Sequence, residues 1–169
     1  MRSLTLLSMF LGLSLVQVSC LNPFAPRLET DLGQESCGDL RQIENIFCSF
    51  RNAYSFKDTT TYGSLLAANF IFIYTDYDAL VERNWGREDE MRLTFTMFQS
   101  VQSLSLIWNR EIPISESDTT WSVERGYNLT VAFSPLDIVR VDGVAEFLFV
   151  RSSSDDPWKI LRWQDKSNF

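Results

Sequence analysis

The sequence predicts an α+β domain, and three observations predict it. From Trp121 to Phe133 the odd positions (Trp121, Val123, Tyr127, Leu129, Val131, Phe133) are apolar apart from Arg125, while Ser122, Glu124, Gly126, Asn128, Thr130 and Ala132 stay small or polar. That alternation is the period of a half-buried strand. Near the start, Ile43, Ile46, Phe47, Phe50 and Tyr54 recur at spacings of three and four, the stripe of a helix that must lie on something apolar. Finally, helical patterns come first and strand patterns gather at the end, which argues for helices layered on an antiparallel sheet rather than βαβ winding.

The first 19 residues read as a targeting segment. Met1-Arg2-Ser3 is a short basic start, Leu4 to Val18 is almost wholly apolar, and Ser19-Cys20 stands where cleavage belongs. As a helix that run spans only ~22 Å, short of a ~30 Å hydrocarbon core, so it predicts export rather than a membrane span. Val16-Gln17-Val18-Ser19-Cys20 resembles the bacterial lipobox, with Gln17 where an apolar residue is usual. The resemblance implies lipid on Cys20, and Leu21 implies transfer to an outer membrane; a plain secretory signal leading to a periplasmic or secreted soluble protein is the alternative. Residues 20–36, with Pro23 and Pro26 and no period, read as a tether, and residues 37–169 as the domain.

Within the domain the helical stripe predicts a helix starting at Asp39. Asp58 caps a second helix over 59–68, with Tyr62, Leu65 and Leu66 inward. Residues 69–74 form a strand, apolar enough to be buried on both faces. Residues 75–80 turn, 81–85 form a short partner strand, and Gly86 ends it. Acidic residues at 88–90 suit the first turn of a third helix, whose apolar stripe is Met91, Phe95 and Phe98. Strand 103–109 follows, then a polar loop at 112–120. The long strand from Trp121 leads to strands at 137–151, bent near Asp142-Gly143, and 158–165.

This element order, the run Ala68-Asn69-Phe70-Ile71-Phe72 after two helices, and the closing Trp158-Lys159-Ile160-Leu161-Arg162-Trp163 resemble the nuclear transport factor 2-like, or SnoaL-like, superfamily over about 130 residues. The resemblance implies a cone: a strongly curved, mostly antiparallel sheet wrapped around three N-terminal helices. It also implies a homodimer through the outer sheet face. It does not select an activity, because that fold hosts isomerases, dehydratases and adaptors alike.

Composition excludes more than it selects. The 22 acidic and 15 basic residues give a net charge of −7, or 14 − 22 = −8 once the leader with Arg2 is removed. No cluster of Lys and Arg is present to hold a phosphate backbone, so nucleic acid is not an expected partner. The chain has no histidine, which removes His-based triads and most zinc sites. No metal or cofactor is expected. Asn128-Leu129-Thr130 is formally a glycosylation sequon, but it lies mid-strand.

Acid or base chemistry would therefore need carboxylates or tyrosine. The isomerase branch that the chain resembles places a carboxylate base just after the first strand, a tyrosine donor on the first helix and a protonated acid on a later strand. Asp76 and Asp78 follow the first strand, the tyrosine position falls near Phe50, and Glu146 is the nearest later acid, one residue from the register required. Asp76 and Asp78 read equally as turn residues. Arg125, alone on an apolar face, requires partners, and Glu146 or Asp165 could supply them; otherwise it could hold an anionic ligand. Tyr74, Trp108, Tyr127 and Trp163 could line a pocket or simply be core. Cys37 and Cys48 are expected to remain unbridged, since a helix from Asp39 sets its first residue about 13 Å from Cys48 along the axis, against the ~7 Å a disulfide allows.

The sequence thus predicts a lipid-anchored cell-envelope domain that binds a small apolar or anionic ligand or a protein. The alternative is a cofactor-free isomerase or lyase, ketosteroid-isomerase-like or dehydratase-like, with Asp76 or Asp78 as base.

Overall fold

The computed structural model describes residues 36–167. The signal, lipidation and tether expectations, Cys20 among them, lie outside the described residues. The elements are α1 (Ile43–Phe56), α2 (Thr59–Leu65), β1 (Leu66–Asp76), β2 (Val81–Gly86), α3 (Arg87–Ser100), β3 (Ser103–Glu116), β4 (Thr120–Ser134), β5 (Asp137–Val150) and β6 (Lys159–Asp165). They form an α+β domain in which three helices accompany one six-stranded sheet, ordered β2-β1-β6-β5-β4-β3. β1 and β6 run parallel and the other neighbours antiparallel, so the sheet is mixed, and it does not close. Register shifts in the β3–β4, β1–β6 and β5–β6 ladders are the bulges by which such a sheet bends.

α1 lies along the concave face. Its stripe of Ile43, Ile46, Phe47, Phe50 and Tyr54 is buried, as the spacing requires. The ring of Phe47 meets Phe147 and Phe149 of β5 at 5.4 and 5.5 Å, edge to face. Asp58 caps α2, accepting from the amides of Thr60 and Thr61 at 2.9 and 3.0 Å and from the Thr61 hydroxyl at 2.6 Å. Gly143 is required by packing: the Tyr127 ring crosses β5 so closely that a Cβ there would collide with the ring and with Ser167. The β4–β5 ladder continues through Asn128↔Asp142 and Tyr127↔Gly143.

Five expectations are corrected. α1 begins at Ile43, not Asp39, because Asp39 builds a turn of its own: its carboxylate accepts from the Arg41 amide (3.0 Å) and Nε (2.7 Å), and its carbonyl from the Gln42 amide (3.0 Å). The coil before α1 therefore doubles back, and Cys37 and Cys48 are bridged, with Cα atoms 5.5 Å apart. The axial distance that seemed to forbid the bridge belonged to helix that does not exist. Of the expected loop at 112–120 only residues 117–119 connect strands; over 112–116 β3 continues along β4 through Ile112↔Glu124 and Glu116↔Trp121. An edge strand needs only one partner and tolerates Pro113 at a bulge, so its pattern escapes the alternation rule. β1 is buried on one face only, Phe70 and Phe72 inward and Ile71 and Ile73 partly exposed. On α3 the buried residues are Glu90, Thr94 and Phe98, whereas Phe95 is 54% exposed.

Candidate functional site

The concave face is read most directly along its cross-strand rows. One row runs Trp85, Phe72, Trp163, Phe147, Val123 and Pro113; beyond it Arg83 pairs with Tyr74, and Asp165, Ala145, Arg125 and Glu111 follow one another across β6, β5, β4 and β3. Alternation puts Tyr74, Arg125, Tyr127 and Trp163 on this face, and Trp108 joins them through its pairing with Tyr127. All five sequence candidates for ligand contact therefore face inward, but they are not equivalent.

The middle of the concave face is packed with rings. Trp163 is bounded by Phe72, Phe50 and Phe147 at 5.0, 5.4 and 5.6 Å. Phe50 also meets Tyr54, Tyr62 and Trp108 at 4.9 to 5.3 Å. Phe50, at the tyrosine position of the isomerase pattern, is thus a wholly buried packing residue. Tyr127 donates or accepts with Ser167 Oγ at 3.2 Å and reaches Asp165 at 3.5 Å; burial pushes its pKa up to about 12. Trp108 donates its Nε1 proton to the Phe47 carbonyl at 3.0 Å, pinning β3 to α1.

Open space lies at the rim. A cleft of about 420 Å³ at the end of β1 is lined by Tyr74, Asp76, Tyr77, Asp78, Asp165 and their neighbours. Asp76 opens onto it but is already engaged, accepting from the Ala79 amide at 2.9 Å and from Arg83 Nε at 2.8 Å; those bonds hold its pKa below the usual carboxylate value. Asp78 lies in the exposed turn beyond β1. Glu146 pairs with Glu124 in the ladder and so points away from the concave face, bound by Arg162 at 2.8 Å and Lys166 at 2.5 Å. The two base candidates, Asp76 and Asp78, share the β1 cleft, but Glu146, the candidate for the later-strand acid, is not brought to it.

A second cleft, about 350 Å³, is lined by Trp108, Arg125, Arg51, Asn45, Glu44 and Phe47 together with the Cys37–Cys48 bridge. The partners of Arg125 correct the expectation of Glu146 or Asp165. They are Glu44 at 3.0 Å and Glu111 at 2.5 Å. Glu146 is on the other face, and Ala145 separates Arg125 from Asp165 along the row, whereas Glu111 is the direct cross-strand partner and Glu44 descends from the first turn of α1. Burial and the neighbouring Glu44 raise the pKa of Glu111. Burial also pushes on Glu44, but its bonds to Arg125 prevail and leave it below its usual value.

One group escaped the sequence reading. Glu90, taken there as a helix-dipole residue, is buried and accepts from Tyr62 Oη (2.6 Å), Trp85 Nε1 (2.6 Å) and Thr94 Oγ1 (3.0 Å). The signal was present in the i, i+4, i+8 spacing of Glu90, Thr94 and Phe98. Tyr62, desolvated beside Tyr54 and Glu90, has its pKa raised well above the ordinary value. Among the described residues no group of three or more His, Cys, Asp or Glu could hold a metal ion, and no helix is long and apolar enough to cross a membrane.

No family model and no curated protein sequence matches the chain. Solved structures do. A candidate dehydratase of the nuclear transport factor 2-like family from Streptomyces avermitilis superposes with a TM-score of 0.62 at 17% identity, covering 78% of this chain and 97% of that one. The domain has the nuclear transport factor 2-like fold. A candidate scytalone dehydratase from Novosphingobium aromaticivorans is similar at TM-score 0.65 and 13% identity (77% and 84% covered). So is a candidate calcium/calmodulin-dependent protein kinase II association domain from Xanthomonas campestris, at 0.60 and 14% (78% and 89%). Neighbours described as enzymes and as an association domain share the nuclear transport factor 2-like fold, so at these identities the likeness fixes the fold alone.

Proposed function

We propose that this chain is an exported, lipid-anchored cell-envelope protein whose nuclear transport factor 2-like domain binds a small ligand with an apolar body and an anionic end. The observation that carries the reading is that Trp108, Arg125 and Arg51 line one open cleft, a flat apolar surface beside two guanidinium groups, where the exposed Glu44 is the partner of Arg125 that an anionic group would displace. The packed aromatic interior supports a site at the rim rather than in the cone. The engagement of Asp76 by Arg83 and Ala79 supports binding over turnover, because a base already holding two donors with a lowered pKa is a weak proton acceptor. Losing one oxyanion donor typically costs ~10²–10³ in rate, and Phe50 offers none.

The test uses a naphthalene-sulfonate dye, which has the proposed chemistry. Its fluorescence titration should give saturable binding to the native domain, weakened roughly ten- to a hundredfold by Arg125→Met, the loss of one charge-assisted bond of about 1.5–3 kcal/mol. Unsaturable binding, or binding indifferent to the substitution in a folded variant, would remove the cleft from consideration. In the same samples, turnover found in a substrate screen and abolished by Asp76→Asn with the fold intact would instead establish an enzyme at the β1 cleft.

A further inference from the structure

The bridge that corrects the sequence reading also has an unusual setting. Cys48 belongs to α1, held by helix backbone on both sides, whereas Cys37 lies in residues 36–39, which carry no regular structure. Both cysteines are partly exposed, and both line the same cleft as Trp108 and Arg125. Each sulfur has its own donor: Asn52 Nδ2 lies 3.0 Å from Cys37 Sγ, and an Arg51 guanidinium nitrogen lies 3.9 Å from Cys48 Sγ. A disulfide kept only to tie down a coil needs neither an opening to solvent nor a cation at one sulfur.

We propose that Cys37–Cys48 is an exchangeable disulfide and that Cys37 is the site at which a small thiol becomes attached. In the step, the thiolate of the incoming molecule attacks Cys37 Sγ and forms a new S–S bond to it. The Cys37–Cys48 bond breaks, and its electron pair stays on Cys48 Sγ. The incoming sulfur is oxidised into the mixed disulfide, Cys48 is reduced to a thiolate, and no outside oxidant is needed. A guanidinium lowers the pKa of a neighbouring thiol, and the sulfur of lower pKa leaves faster, so Arg51 makes Cys48 the leaving group. The coil position of Cys37 allows it to carry the adduct without disturbing α1, and Asn52, itself buried, holds the Cys37 sulfur in place until attack. This inference does not depend on ligand binding in the cleft.

The experiment incubates the oxidised protein with reduced glutathione under native conditions, quenches with acid, alkylates and maps the peptides by mass spectrometry. The glutathione mass should appear on Cys37 and the alkyl group on Cys48. The rate should be independent of urea below the unfolding transition, and Arg51→Gln should slow it roughly threefold or more by raising the leaving-group pKa. Glutathione predominantly on Cys48, a rate that climbs with urea as global unfolding does, or an unchanged rate in Arg51→Gln would each overturn the proposal.

Discussion

The guanidinium of Arg125 lies 4.3 Å over the ring of Phe47 while Glu44 and Glu111 close on it from α1 and β3. One side chain thus joins the helix to two strands, by a cation–ring contact and by two carboxylates. Its side chain is only 12% exposed, so the charge is affordable only with those partners. Arg125→Met keeps the apolar contact with Phe47 but leaves Glu111 partly buried beside Glu44 without a cation. The expected loss is about 1–2 kcal/mol, below the 3–5 of a fully buried pair because Glu44 is exposed. Adding Glu111→Gln should return part of it, a non-additivity that urea denaturation of the single and double variants measures.

Processing at Cys20 is the prediction on which the anchoring proposal depends. The apolar run Leu4 to Val18 ends at Ser19-Cys20, and a diacylated cysteine there would hold the domain to a membrane through the residues that follow. Cys20→Ala should accumulate as a larger precursor without lipid, seen by intact-mass spectrometry of the membrane fraction. Maturation and fractionation unchanged by the substitution would leave a secretory signal as the explanation.

What the sequence made legible was periodicity. The α1 stripe, the Asp58 cap and the alternation from Trp121 to Val131 rest on local rules and stand where those rules put them, whereas Phe133, at the register shift that ends the ladder, is exposed. Illegible were features set by a partner distant in the chain. Asp39 looked like a helix start because nothing local says that its carboxylate turns back to Arg41, and with that boundary went the Cys37–Cys48 bridge. The stretch Ile112 to Glu116 is a strand only because β4 lies beside it. Arg125 was recognised as needing partners, but its choice of Glu44, 81 residues away, depends on how α1 crosses the sheet.

Asp58 gives the acid limb of the stability curve. The Thr61 hydroxyl and the amides of Thr61 and Thr60 bond its carboxylate and hold its pKa below the usual 3.8. The folded protein therefore binds this proton less tightly than the unfolded chain does. The stabilisation is complete above the unfolded pKa and is lost as pH falls through the lower folded value. Asp58→Ala should cost about 1 kcal/mol at neutral pH, with the difference from wild type shrinking below about pH 4. Urea midpoints measured between pH 7 and pH 2.5 check both the size and the convergence; a difference constant across that range would mean that the carboxylate is not what caps α2.

Glu90 is buried and holds three donors, and its replacement separates hydrogen bonding from shape. Its two oxygens take three donors from three elements: Tyr62 of α2, Trp85 of β2 and Thr94 of its own helix. Trp85 is in turn stacked on Phe72 at 4.4 Å, so the carboxylate fixes the position of a ring that borders the concave face. Glu90→Gln preserves volume, but its amide nitrogen can only donate: with the carbonyl kept on Trp85, the Tyr62 and Thr94 hydroxyls must accept from the amide, and their own protons lose the acceptor that Glu90 gave them in a buried site. The expected loss is about 1–3 kcal/mol, the desolvation penalty of an unsatisfied group. Tyr62→Phe removes one donor and its proton together and should lose about 1 kcal/mol. Because both changes act on one network, the double variant Glu90→Gln/Tyr62→Phe should be less destabilised than the sum, since it also removes one of the hydroxyl protons that the glutamine strands. Denaturation of the four proteins with a constant urea m-value gives the coupling directly. Strict additivity would mean that Tyr62 and Glu90 contribute independently, and that the Tyr62 hydroxyl is satisfied by Tyr54 or Thr94 instead.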